Sequence, residues 1–234
     1  MDEYYSHDGA LDKYAALAEE GLFDQEKTVV DRYFTGDGAS VLDLGCGAGR
    51  TTQALVSRGF DVVGVDVSEP MIRKSSSLFP DLEVRVGDAT DLSFETSTFD
   101  YVLFSFNGLD DITPETGRYA ALAEIRRVLK PGGTFAFSSR NSLYYTLLRA
   151  RPFSPGTWVE LANFWAKNRS TKNALSNYKS DDHEFGSGDA YYSTPLHQKR
   201  QLINCDYEPV DVIKKEDSFS VYTDPWPYYV AKTL

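Results

Sequence analysis

Only two cysteines, Cys46 and Cys205, occur in the 234 residues. They are too few for a disulfide framework or a cysteine-ligated zinc site, and both are expected to be reduced thiols. No apolar run approaches the roughly 20 residues that span a bilayer. The start, Met1-Asp2-Glu3-Tyr4-Tyr5, has neither the basic nor the apolar region of a secretory signal, so we expect a cytoplasmic protein with no membrane partner. Basic residues are also scarce: 24 Lys and Arg stand against 35 Asp and Glu, giving a formal net charge of −11. Such a balance opposes binding to nucleic acid or anionic lipid. There are three histidines, His7, His183 and His197, and none sits in a motif. The chain has no internal repeat and no low-complexity tract.

What remains is a globular composition, 41% apolar and 25% charged, in a length that makes one domain with a sizeable core. The stretch that organises it is Ser40-Val41-Leu42-Asp43-Leu44-Gly45-Cys46-Gly47-Ala48-Gly49-Arg50-Thr51-Thr52. Val41, Leu42 and Leu44 are strand formers. Three alternate glycines then let the backbone turn sharply and approach a ligand that any Cβ would exclude. The following helix, Arg50 to Arg58 with Gly59 at its end, would point free N–H groups back at the turn. A dinucleotide fingerprint requires a third glycine where this chain has Arg50, and a phosphate loop requires a lysine that is absent. Asp-x-Gly-x-Gly-x-Gly closing a buried strand resembles the first motif of the class I S-adenosylmethionine-dependent methyltransferases. A nicotinamide or flavin fold and a plain glycine turn remain alternatives at this point.

The chain around this stretch alternates helices and strands. Apolar spacing from Asp8 to Phe34 predicts two helices joined near Gly21. The run Asp61 to Val67 reads as a strand buried on both faces. Its Asp66 lies where an acid would accept from both ribose hydroxyls, and Ser68 is available to cap the helix Ser68 to Ser77. Strands are further expected at Leu82 to Val86, Phe99 to Phe106 and Thr134 to Ser139, with a helix opening at Thr113-Pro114-Glu115 and stopping at Lys130-Pro131-Gly132-Gly133. A helix from Thr194-Pro195 to about Asn204 and strands at Tyr207 to Lys214 and Trp226 to Thr233 complete the pattern.

With motifs in order from Val41 to Ser139, the chain is similar to the small-molecule branch of that methyltransferase family. The resemblance implies an α/β, doubly wound, mostly parallel seven-stranded Rossmann-like sheet, with an antiparallel last strand and a lid insertion between strands five and six. It divides a single domain into N-terminal helices (1–38), a cofactor core (39–140), a lid (141–193) and a C-terminal helix and strand pair (194–234). S-adenosylmethionine is the implied cofactor and S-adenosylhomocysteine its product. The implied cofactor residues are Asp43, Gly45, Cys46, Gly47 and Gly49 in the first motif, and Asp66, Val67 and Met71 at the ribose. Asp88 and Ala89 would meet the adenine, and Ser105 and Phe106 the methionine end.

Methyl transfer from a sulfonium is an in-line displacement that chiefly needs alignment, so a dedicated base is optional. His7, His183 and His197 are candidate bases only in that weak sense. Asp110-Asp111 could mimic a magnesium site, but no third ligand stands out; we expect a solvated pair and no metal. The alternative functions are a nicotinamide-dependent oxidoreductase and a non-catalytic nucleotide-binding protein of the same fold. Residues 141–180 carry Arg149, Arg151, Lys167, Arg169, Lys172 and Lys179 against the single acid Glu160, a reversal of the chain's sign. With Trp158, Phe164 and Trp165 there, we expect this segment to select a small acceptor, anionic or aromatic.

Overall fold

The computed structural model describes residues 8–145, 155–169, 177–183 and 186–234. Helices α1 (Asp8–Leu17) and α2 (Asp24–Tyr33) precede strand β1 (Ser40–Leu44) and helix α3 (Arg50–Val56). Then follow β2 (Asp61–Asp66), α4 (Glu69–Leu78), β3 (Glu83–Val86) and β4 (Phe99–Phe104). A 3₁₀ turn (Gly108–Asp111) leads into α5 (Glu115–Val128) and β5 (Leu129–Ser138). The next described elements are α6 (Pro155–Lys167), the hairpin β6 (Tyr178–His183) and β7 (Gly186–Tyr191), α7 (Pro195–Asn204), β8 (Tyr207–Ile213) and β9 (Tyr228–Thr233).

Seven strands form one sheet in the order β3-β2-β1-β4-β5-β9-β8. The first five are parallel, and β9 runs antiparallel to both β5 and β8. The doubly wound arrangement with its antiparallel last strands is the expected one. Alternation along the strands sends side chains to two cores. Leu42, Leu44, Val102 and Phe104 pack with Leu122 and Ile125 of α5 on one face. Val41 and Leu103 pack with Val29 and Val30 of α2 and Leu55 of α3 on the other. Each such side chain removed from water contributes roughly 1.5–3 kcal/mol.

Of the boundaries that differ from expectation, those of β4 and β5 have local reasons. Strand β4 ends at Phe104, two residues early, because Phe106 (φ 56°) and Asn107 (φ 61°) are left-handed and Gly108 N–H donates to Ser105 O (3.2 Å). A Cβ at Gly108 would lie 2.3 Å from the Phe104 ring, so only glycine lets the turn fold against the strand. Strand β5 begins before its Pro-Gly-Gly run: Leu129 pairs with Phe99, the register slips, and pairing resumes at Thr134 and Tyr101. Between β5 and α7 the chain leaves the main sheet, and the described part of that excursion is α6 and the two-stranded hairpin β6–β7. No helix among the described residues is long and apolar enough to cross a membrane.

Candidate cofactor site

Strand order reverses between β1 and β4, and in open parallel sheets ligands bind beyond the carboxyl ends of the strands at such a point. A cavity of about 520 Å³ occupies that place. Its walls come from the segments following β1, β2, β3 and β4, from residues 111–117, and from Tyr14 and Leu17 of α1.

The three glycines of the first turn are all left-handed, at φ 63° (Gly45), 52° (Gly47) and 91° (Gly49), but they serve different ends. Gly47 faces the cavity, and a Cβ there would have no atom within 4 Å. A Cβ on Gly49 would lie 2.5 Å from Ser75 Oγ and 3.2 Å from the Phe79 ring, so this glycine lets α4 approach α3. Gly49 is accordingly absent from the cavity wall, and so is Asp43. Asp43 alternates with Leu42 and Leu44 onto the face under α3, fully buried, where its Oδ2 accepts from Thr51 Oγ1 (2.6 Å) and Thr52 Oγ1 (2.7 Å). Its Oδ1 has no hydrogen-bond partner among the described residues. Burial pushes the carboxyl up to about 6 against the pull of the two hydroxyls. The other ten cofactor candidates, Gly45, Cys46, Gly47, Asp66, Val67, Met71, Asp88, Ala89, Ser105 and Phe106, all line the cavity.

Asp66 ends β2 and braces the glycine turn. Its Oδ2 accepts from Gly47 N–H and its Oδ1 from Ser68 N–H, both at 2.8 Å. Ser68 caps α4 through its own hydroxyl, which accepts from Met71 N–H (3.5 Å). Asp88 is exposed at the cavity edge, and its Oδ1 accepts from the N–H and hydroxyl of Thr90 (2.8 Å each). Cys46 is buried, and desolvation raises its thiol well above the ordinary range, so it is a packed thiol and not a nucleophile.

Two residues at the methionine end of the implied cofactor site escaped sequence reading. Arg50 lines the cavity, stacks 4.0 Å over the Phe23 ring and forks onto Glu26 of α2, Nη1 to Oε2 at 2.6 Å and Nη2 to Oε1 at 2.8 Å. Glu26, fully buried, also accepts from Phe23 N–H (2.7 Å) and Tyr228 OH (2.8 Å). The signals were present: an acid on the apolar stripe Val29-Val30, and a cation at a helix N-terminus, where the macrodipole disfavours it unless an acid answers it. Beside them Phe106 meets Tyr14 edge-on at 5.8 Å, which draws α1 over the cavity mouth.

The histidines are dispersed. His7 lies outside the described residues, His183 ends the hairpin strand β6, and His197 is an exposed residue of α7 whose Nε2 is 3.3 Å from Asn177 Nδ2. The acidic pair is not the solvated pair expected. Asp110 is fully buried and accepts from Arg118 Nη1 (2.9 Å), Ser139 Oγ (2.9 Å) and Arg140 N–H (2.6 Å), while Asp111 pairs with Arg140 (2.8 Å). Arg118 is itself fully buried and lies 4.0 Å over the Tyr191 ring, which ties hairpin strand β7 to the core. Of the basic residues expected in the lid, Arg149, Arg151 and Lys172 lie outside the described residues. Phe164 is buried against Tyr192, whereas Trp158 and Trp165 are exposed and stand apart from the cavity wall.

Residues 41–133 match the family model described as a methyltransferase domain. The likeness is thus to a methyltransferase domain, over residues 41–133 of this chain. Over 107 residues it is 38% identical to the demethylmenaquinone methyltransferase of Beutenbergia cavernae, a match covering 46% of this chain and 43% of that protein. Over 99 residues it is 43% identical to the cypemycin N-terminal methyltransferase of a Streptomyces species, covering 42% and 40%. The matches thus span under half the length of these curated relatives. Among solved structures, the fold of a S-adenosylmethionine-dependent methyltransferase from Methanosarcina mazei is shared at a TM-score of 0.69 and 20% identity, over 92% of this chain and 99% of that one. S-adenosylmethionine is the cofactor of this domain class. The cavity fits it, since Gly47 leaves bare backbone facing the space and the Asp66 carboxylate stands on the same wall.

Proposed function

We propose that this protein transfers a methyl group from S-adenosylmethionine to an oxygen, nitrogen or carbon atom of a small molecule, releasing S-adenosylhomocysteine. The observation that carries the reading is the single cavity in which the bare Gly47, Asp66 and the Asp88-Ala89 pair converge from three strand ends. Asp66 would accept from the ribose hydroxyls, Asp88 and the Ala89 N–H would hold the adenine, and Ser105 and Phe106 would flank the methionine end. When bound, the cofactor supplies a methyl already activated on a sulfonium. This chain's own residues then bind, align and exclude water, with Tyr14, Leu17 and Phe106 forming the apolar cover at the mouth.

The acceptor is argued separately. The family-model match spans residues 41–133, and the segment 141–193 lies beyond it. The names demethylmenaquinone and cypemycin therefore support the donor chemistry and not a particular acceptor. We assign acceptor choice to that segment, where the positive sign of residues 141–180 and the exposed Trp158 and Trp165 favour a planar or anionic molecule. Titration calorimetry with S-adenosylmethionine, S-adenosylhomocysteine and NAD tests the donor. Binding of both sulfur compounds without NAD is expected; NAD binding alone would favour the oxidoreductase. A methyl-acceptor screen then separates an enzyme from a non-catalytic binding protein.

A further inference from the structure

Ser105 directly follows strand β4 at the cavity wall, and one lone pair of its backbone carbonyl accepts from Gly108 N–H (3.2 Å). Its side chain adds a hydroxyl. Behind that hydroxyl, away from the cavity wall, stands Tyr228 OH at 3.3 Å, and behind Tyr228 stands Glu26 at 2.8 Å. A phenol has one proton. Between a neutral hydroxyl at 3.3 Å and a carboxylate at 2.8 Å, the proton goes to the carboxylate, the shorter and charge-assisted bond. Tyr228 therefore turns a lone pair toward Ser105, and the Ser105 proton is drawn back onto the phenol. The serine oxygen is left with its own lone pairs available to the cavity.

Glu26 is well suited to hold this direction and poorly suited to be a base. It receives two bonds from Arg50, one from Phe23 N–H and one from Tyr228, which fills the four acceptor positions of a carboxylate. Arg50 neutralises its charge in a fully buried setting, so a proton arriving there would break a bidentate pair. Ser105 directly follows β4, Tyr228 opens β9 and Glu26 lies in α2, three parts of the chain that meet only when it folds.

Resting on the donor reading above, we propose that Tyr228 and Glu26 are positioning residues that fix the Ser105 hydroxyl as a one-way hydrogen-bond acceptor toward the cavity, selecting a proton-bearing cation, the ammonium of the methionine moiety, at that end of the site.

The test compares S-adenosylhomocysteine with its analogue lacking the α-amino group, by titration calorimetry on the wild-type protein, Ser105→Ala, Tyr228→Phe and the double variant. The wild type should prefer the amino compound, and Ser105→Ala should reduce that preference roughly ten-fold, as expected for a hydrogen bond to a charged group. Tyr228→Phe should reduce it in part by freeing the serine to rotate, and the double variant should match Ser105→Ala, because coupled residues are not additive. A preference unchanged in Ser105→Ala, or losses that simply add, would overturn the proposal. Should Tyr228→Phe fail to fold, Ser105→Ala and Ser105→Cys, which is slightly larger and accepts weakly, decide it. A wild-type protein that binds neither compound overturns the donor reading itself.

Discussion

At the scale of single residues, the two acids of the first two strand ends divide labour that their sequence positions do not separate. Asp66→Ala should weaken S-adenosylhomocysteine binding by on the order of 1.5–3 kcal/mol for the lost charged acceptor. It should also lower the melting temperature, since Gly47 and Ser68 N–H lose their partner. Asp88→Ala should cost less binding, because Ala89 N–H remains. Calorimetry with matched thermal melts checks both, and unchanged affinity in a folded Asp66→Ala protein would contradict the ribose role. Asp43 should act through stability alone. Its folded carboxyl keeps a proton up to about pH 6, whereas the unfolded one releases it near the ordinary value of 3.8. The folded state therefore binds more protons between these values, and stability falls as pH rises from about 4 to 6 and is level above, by an amount on the order of 3 kcal/mol. Asn at this position can still accept from Thr51 and Thr52, so Asp43→Asn should melt higher than wild type at pH 7, with the gap narrowing as pH falls from about 6 to about 4. A gap that does not change with pH would show that Asp43 does not titrate as its burial implies. Asp43 was legible as part of a motif but not as to which face it occupies, which only the alternation of β1 against two cores reveals.

At the scale of elements, the glycine turn makes a prediction that the motif alone could not. Gly47→Ala places a methyl in open space toward the cavity, so it should carry only the left-handed backbone cost of roughly 1–2 kcal/mol while impairing ligand binding more than stability. Gly49→Ala drives a methyl to 2.5 Å from Ser75 Oγ between α3 and α4, and should lose more stability than Gly47→Ala. Thermal melts and calorimetry on the two variants would show opposite rankings; the same ranking in both assays would mean that the glycines are not divided in this way. Strands β1 to β5 and their helices were readable because burial on both faces leaves near-continuous apolar runs, and because Ser68 and Pro70 mark a helix start. The hairpin β6–β7 was not, since Tyr178 to Tyr191 mixes Asp, Ser and Gly without alternation, and its tie to the core runs through the buried Arg118 stacked on Tyr191. A buried arginine looks in sequence like any solvated one. The same blindness hid Arg50 and Glu26, whose partners are 24 residues apart.

At the scale of the whole molecule, charge is spent in two ways. Glu26 with Arg50 and Asp110 with Arg118 are enclosed pairs with short contacts, shielded from solvent ions by the protein around them. The excess of acids that gives −11 is a matter of the surface, where like charges repel across water and destabilise the compact state. Added salt screens that repulsion, with a Debye length falling from about 30 Å at 0.01 M to about 8 Å at 0.15 M and about 3 Å at 1 M. It should leave the enclosed pairs nearly unchanged. The melting temperature should therefore rise with potassium chloride, most steeply below about 0.2 M where the screening length changes fastest. Neutralising surface acids should imitate the effect at low salt. Glu216 and Asp217 are adjacent exposed acids at which Gln and Asn can be introduced without touching the cavity. Glu216→Gln with Asp217→Asn should raise the melting temperature in dilute buffer and lose that advantage as salt is added. A melting temperature that falls with salt would mean that attractive surface pairs such as Lys130 with Asp100 outweigh the net repulsion. The acidity would then have to be explained by something other than self-repulsion held in check by ions.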